Sequence, residues 1–438
     1  MTDEVKIFGM PPKSGRWVLV IAGMIIQLCL GATYSYGVIR GPLQAHFKSS
    51  LGLYPTGMDM TWPFIAFLLA FTLTMPIAGF CIQWMGPGKV CMAGGMLCGL
   101  GFLASSEAST PEMLIPLYGF IGGLGVGLAY GCPIATVAQW FPDWRGLAIG
   151  LTVMGFGFSA FLLNLLTPFM LAIGLSIMFI LKVFGLAIFI VIVVLSALLK
   201  FPPADWKPSG WTPAASETGA ALKADFAFIE ILGSAAFYRL WICYTIGVLA
   251  LLIAIGIGGP ISKEVFANAG MNSKMANYWT VYYMVPLFAL CNGLGRSLFG
   301  IMTDVLTPKK TARITYVIII VACLLMYLSY SSVAAYIICF ALLWGCLGGW
   351  LAIAPTATAS YFGMKDNAKN YGLVFTAYGV AAIIGGFASA LITSTTRVAV
   401  GATFLDAYRP FFLGVAALAA LGLVVAFTLL KPPVKKTA

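Results

Sequence analysis

Apolar runs of roughly twenty residues, separated by short polar breaks, recur along the whole chain, and a hydrocarbon core about 30 Å thick needs that length of helix to cross it. The pattern predicts twelve spanning helices, over residues 17–39, 61–84, 88–106, 113–140, 145–172, 177–199, 237–260, 276–303, 312–331, 333–361, 370–395 and 408–430. The first run follows a basic leader, as a secretory signal does. It is too long for one and has no clear small-residue cleavage site, so it reads as a retained helix. The predicted fold class is an all-α integral membrane protein.

The longest polar interruption, "KFPPADWKPSGWTPAASETGAALKADFAFIEILGSAAF", divides six helices from six. The organisation read from it is an N-terminal six-helix bundle at 1–199, a cytoplasmic linker at 200–236 and a C-terminal six-helix bundle at 237–438. The linker carries prolines, mixed charge and a short amphipathic piece around Phe226 to Leu232. The two bundles repeat one design. Gly79 in "GFCIQWMGPGK" and Gly300 in "GIMTDVLTPKK" are 221 positions apart, as are Trp140-Phe141 and Tyr361-Phe362. "RGLAIG" from Arg145 then answers "NYGLVF" from Asn370. A repeated six-helix unit is characteristic of secondary transporters, with the site between the halves.

Composition agrees: 61% of residues are hydrophobic, 9% are charged and the mean hydropathy is +0.97. The net charge of +11 raises the question of a nucleic-acid partner. Its distribution answers it. With both termini in the cytoplasm, seventeen of the 25 basic residues fall inside, seven lie outside or near the outer face, and Arg296 alone lies between. The positive-inside rule accounts for the excess, so membrane lipid rather than nucleic acid is the expected surroundings. The ten cysteines lie in apolar segments without paired metal-ligand spacing and read as packing residues, so no metal or cofactor is expected. The spans contain no His or acid cluster and no nucleophile with a base, which argues against an enzyme.

Arg296, in "LFALCNGLGRSLFG", stands inside an apolar run with no acid beside it. It lies eight residues before Asp304, which at 1.5 Å per residue places it about 12 Å inward. Helical side chains lean toward the helix N-terminus, which carries the guanidinium toward the midplane. An arginine there costs about 2.5 to 3.5 kcal/mol on insertion scales, so it is expected to face a wet cavity or a partner. All fourteen acids fall in loops, tails or helix ends. The simplest missing partner is a small external anion held in a bidentate fork; bonds to backbone carbonyls are the alternative.

The motifs "RW" (Arg16, Trp17), "YSY" (Tyr34 to Tyr36), "WFPDWRGLAIG", "NGLGRSLFG" and "KNYGLVF", with the repeat, resemble the major facilitator superfamily over essentially the full length. Within it the chain is similar to the oxalate/formate antiporter family, relatives of the monocarboxylate transporters. The resemblance implies two pseudo-symmetric six-helix bundles and makes Arg296 the ligand of a substrate carboxylate. It also implies gating roles for Asp304, Lys309 and Arg145. The superfamily signature is complete in the second half as Gly300, Asp304 and Lys309, whereas Gln83 replaces aspartate in the first, weakening one gating contact. Monocarboxylate transporters have an aspartate one turn before the arginine; here that residue is Asn292, so carboxylate protonation at this place is excluded. Oxalate-exchanging relatives have a lysine where this chain has Tyr378, which argues for a singly charged substrate.

Tyr371, Phe375 and Tyr378 share a stripe that serves either packing or a binding wall, and Gln27, Gly31 and Tyr34 share a face of the first helix. In the superfamily the first, fourth, seventh and tenth helices line the cavity, which adds Tyr130, Tyr244, Trp344 and Trp350. Glycines at 119, 123, 127 and 131 recur every fourth residue and allow close helix contact.

The expected function is transport of small monocarboxylates of the lactate, pyruvate, acetate or formate class by alternating access, as proton symport or anion exchange. Arg296 binds the carboxylate and Asn292 and Tyr378 orient it, with Gln27, Tyr34, Tyr130, Phe375, Trp344 and Trp350 shaping the pocket. A carrier of dicarboxylates or of oxalate and formate is the alternative, and a non-transporting receptor with the same fold is the second. The expected setting is a bacterial or archaeal plasma membrane, and the expected state is a monomer.

Overall fold

A computed structural model describes residues 6–203, 206–211, 225–396 and 404–428, except the side chains at 34–35, 390, 393–396, 404–407 and 428. Among the described residues, twelve helices are long and apolar enough to cross a membrane. They are α1 (Pro12–Leu51), α2 (Trp62–Met85), α3 (Pro87–Ser105), α4 (Pro111–Trp140), α5 (Arg145–Ala172) and α6 (Ile177–Ser196), then α7 (Ala235–Gly256), α8 (Ser273–Leu306), α9 (Pro308–Leu328) and α10 (Val333–Phe362). The last two are α11 (Asn367–Thr396) and α12 (Phe404–Thr428). A short helix, Phe228–Leu232, ends the linker where an amphipathic piece was read.

The first span departs from expectation by continuing past residue 39 to Leu51 through a tight turn at Gly31–Ser35. Tyr36, Ile39, Leu43 and Phe47 are buried on one stripe, and the Tyr36 hydroxyl donates to Met60 O at 2.8 Å. A single buried stripe is enough to hold this extension, although Arg40, Gln44 and Lys48 on its other faces lower its hydropathy below that of a membrane span.

The repeat is visible in the corners. Gly86 before α3 has φ 84° and ψ 160°, and Thr307 before α9, 221 positions later, has φ 99° and ψ 149°. Each precedes a proline at the start of the next helix, where a missing N–H costs nothing. Thr307 adopts a backbone region that favours glycine, and its hydroxyl accepts from Lys310 N at 3.4 Å.

The two sets of six meet along α5 with α8 and α2 with α11. The approach is backbone on backbone. A Cβ on Gly150 would lie 2.5 Å from Arg296 O, and one on Gly372 2.5 Å from Met75 O. In α4, Gly123 and Gly127 abut Phe67 and Thr74 of α2, which is the use expected of the glycine stripe. Residues 129–138 of α4 and 346–359 of α10 are buried all round, as helices at the centre of a bundle must be.

Candidate functional site

Arg296 is only 3% exposed. It sits on α8 between α5 and α10, where Gly348 leaves room for its stem: a Cβ there would lie 3.2 Å from Arg296 Cγ. Nη1 donates to Val153 O at 2.9 Å, while Nε and Nη2 donate to Asn292 Oδ1 at 3.3 and 3.2 Å. The guanidinium carbon lies 5.3 Å from the Phe156 ring centroid, within cation–π range. Both acceptors are neutral, so the backbone-carbonyl alternative is realised in part without discharging the cation. Three of the five guanidinium N–H groups donate to these two oxygens, and the Tyr130 hydroxyl lies within hydrogen-bonding reach as well. No carboxylate bonds to it among the described residues.

Asn292 bonds directly to Arg296. Its oxygen holds the guanidinium, and its Nδ2 donates to Trp344 O at 3.1 Å, tying α8 to α10. Above this bond lies an 830 Å³ vestibule, opening on the face away from the linker and bordered by Asn164, Tyr282, Val285, Ala289 and Trp344. Ala289 is one helical turn from Asn292, so the Asn292–Trp344 bond separates the vestibule from Arg296. Pro286, which has no N–H, follows a π-helical turn at Thr280–Met284 that forms part of the vestibule wall.

Around Arg296 the buried polar groups are unusually underused. Tyr130, Tyr244 and Tyr371 lie within electrostatic reach of Arg296 and of one another. Among the described residues their hydroxyls make no well-aligned hydrogen bond, although Tyr130 lies within reach of Tyr371 and Arg296, and Trp350 Nε1 and Gln27 Oε1 have no partner there either. Gln27 Nε2 donates to Tyr130 O at 2.8 Å, which leaves its oxygen as the unused end. An unsatisfied buried group costs roughly 1–3 kcal/mol, so five around one cation describe a polar chamber rather than a packed core. Phe375 packs against Phe71 and Tyr130 with ring centroids at 5.0 and 5.3 Å, and Tyr378 stacks on Phe375 at 5.2 Å. Trp350 stacks with Tyr244 at 5.8 Å. The side chain of Tyr34 lies outside the described residues.

On the linker face the halves are latched. Asp304, at the end of α8, accepts from Gly146 N at 2.7 Å and Leu147 N at 2.8 Å, capping the start of α5 in the other half. Negative charge at a helix N-terminus is favourable because the first N–H groups have no intrahelical partner. Arg145 lies in electrostatic reach of Asp304 and donates from Nε to Ala138 O at 3.4 Å; Lys309 occupies the first turn of α9 nearby. The matching place in α2, Gln83, donates to Asp366 Oδ1 at 2.9 Å. The contact expected to be weakened is re-made: Asp366 supplies the acid, and Lys369 approaches it at 3.6 Å.

A family profile described as Major Facilitator Superfamily matches residues 265–438. The fold is similar to that of the proton:xylose symporter XylE, with a TM-score of 0.68 at 13% identity over 96% of each chain. The chain resembles the major facilitator superfamily in its C-terminal profile match and in its fold. It is 25% identical to the oxalate:formate antiporter of Oxalobacter formigenes over 86% of this chain and 85% of that one. It is 22% identical to apicoplast pyruvate carrier 1 of Toxoplasma gondii over 83% and 81%. Its twelve apolar helices and these likenesses support an integral membrane protein, whose vestibule and latch face opposite sides.

One ion pair escaped the sequence reading. Arg16 bonds both oxygens of Asp143, at 2.6 and 2.7 Å, fastening the start of α1 to the α4–α5 corner. The signal was present in "RW" and "WFPDWRG", two motifs on the same face, but nothing in the sequence pairs them. Arg16→Ala leaves a carboxylate that is 16% exposed without its partner. Breaking such a pair is expected to remove about 3–5 kcal/mol of stability, read as a lowered melting temperature in detergent.

Proposed function

We propose that the protein carries small monocarboxylates across the membrane by alternating access, with Arg296 holding the carboxylate. The observation that carries this reading is a fully buried guanidinium with only neutral oxygens bonded to it and donors left over. A carboxylate matches two parallel N–H groups in geometry and charge. Tyr130, Tyr244, Tyr371, Gln27 and Trp350 supply hydrogen bonds to the remaining polar atoms, while Phe375, Tyr378 and Phe156 shape the apolar wall. A second cation for a dianion is missing among the described residues bonded or stacked in the chamber, which favours a single charge even though a relative is named for oxalate. The positive-inside rule places the linker face in the cytoplasm, so this conformer faces outward.

The two six-helix units rock about the site. An empty carrier moves an uncompensated cation through its occluded state, whereas a bound anion neutralises it, so substrate favours reorientation. That suits anion exchange, and equally symport in which a proton accompanies the carboxylate. Counterflow in proteoliposomes tests the reading. Liposomes preloaded with unlabelled lactate, pyruvate, acetate or formate are expected to accumulate the radiolabelled acid transiently. A receptor would bind the label and accumulate nothing, and that result would overturn the proposal.

A further inference from the structure

Between α6 and the short helix Phe228–Leu232, one described stretch lies against residues of both halves. Residues 206–211 lie there as a strap. Trp206 packs on Trp140 with ring centroids 4.7 Å apart, and Trp140 Nε1 donates to Lys200 O at 2.8 Å, fastening this end to the first half. Separately, Asp225 accepts from Met364 N at 2.9 Å and Lys365 N at 3.2 Å, and Phe226 N donates to Phe362 O at 3.0 Å, fastening residues 225–226 to the second half. Trp206, Lys207 and Trp211 line a cleft together with Gln139 and Arg145 of one half and Met364 and Lys365 of the other. The strap therefore crosses the mouth through which cargo would leave on the linker face.

On its other side the strap closes a second pocket of 530 Å³, within the size range of small-molecule sites. Three indoles, of Trp144, Trp206 and Trp211, form its walls together with prolines. Lys13, Arg16 and Lys207 are its cations and Asp143 its one acid. Arg16 already consumes Asp143, so the two lysines leave the lining with an excess of positive charge. No ion pair engages either lysine among the described residues. Arg16 is only 7% exposed, and its Nε has no hydrogen-bond partner among the described residues. Flat aromatic walls with cations at the rim select an anion that carries an aromatic body. The strap spans the two halves rather than the lipid-facing perimeter, so the ligand arrives from water rather than from the bilayer.

We propose that this pocket is a regulatory site for an aromatic organic anion, whose binding wedges the strap across the linker-face mouth and slows transport. The site is separate from Arg296. It lies at the start of α1 and the α4–α5 corner, whereas Arg296 lies at the centre of α8.

The test uses the full-length protein in nanodiscs of zwitterionic lipid, titrated calorimetrically with 1-naphthoate. Saturable binding is expected in the wild type and in Arg296→Ala, and about tenfold weaker binding in Lys13→Ala/Lys207→Ala and in Trp211→Ala. In proteoliposomes, 1-naphthoate is expected to lower the maximal rate of carboxylate uptake without changing its half-saturation. The double lysine variant, with wild-type melting temperature and wild-type uptake in the absence of naphthoate, is expected to resist that inhibition. Binding lost in Arg296→Ala but kept in the double lysine variant would assign the anion to the central site and overturn the proposal. Absence of saturable binding, or binding only when the nanodiscs contain anionic lipid, would overturn it as well. The calorimetric arm does not depend on which acid the protein carries.

Discussion

Arg296→Ala is expected to abolish carboxylate uptake while leaving the melting temperature close to that of the wild type. Two charge-assisted hydrogen bonds to a carboxylate contribute about 1.5–3 kcal/mol each. Their loss corresponds to about 10²- to 10⁴-fold in affinity, enough to take a carrier below detection. The effect on stability has the opposite character. The buried cation costs about 2.5–3.5 kcal/mol to place in hydrocarbon, and its bonds to Val153 and Asn292 offset only part of that. Removing the charge therefore relieves desolvation as it loses bonds. Arg296→Lys keeps the charge but not the planar fork, and is expected to retain weak binding with little turnover. Radiolabelled uptake and a thermal melt on the same preparations separate the two quantities; normal uptake by Arg296→Ala would refute the assignment.

Asp304→Ala is expected to open the linker face. The carboxylate caps two backbone N–H groups of α5 from the opposite half, so its bonds exist only while that face is closed. Loss of an N-cap costs about 0.5–2 kcal/mol, and a helix-terminus charge adds about 0.3–1 kcal/mol. A change near 1.4 kcal/mol moves a two-state population about tenfold. A cysteine at Gln139, in a background from which the ten native cysteines are removed, reports the change through maleimide labelling from the linker side. Faster labelling in Asp304→Ala is the expected result, and an unchanged rate would reject the latch. Gln83→Asp tests the other corner. It sets a carboxylate against Asp366, now bonded at 2.9 Å, and like-charge repulsion is expected to open the same face.

Reading Gln83 as a defect illustrates what the sequence leaves out. The departure from the superfamily pattern was legible, but its partner 283 positions away was not. Gln83 works because it meets an acid, and an aspartate there would be repelled. Asn292 is a similar case. Its place one turn before Arg296 was legible, whereas its second bond, to Trp344 O, depends on how α8 and α10 lie together. The extension of α1 to Leu51 was missed because one buried stripe on an otherwise polar helix escapes a hydropathy window.

The sequence by itself determined the twelve spans, the repeat, the family resemblance and the place of Arg296 inside an apolar run. All of these follow from local facts, because hydrocarbon permits only helices with satisfied backbones and penalises a lone charge wherever it falls. The tertiary structure alone decided which neutral oxygens hold that charge, which hydroxyls stand unused around it, and which face is shut. Apart from Asn292, one turn away, those outcomes rest on contacts between residues 100 to 300 positions apart, governed by how closely glycine-lined helices approach, and no periodicity along the chain records them.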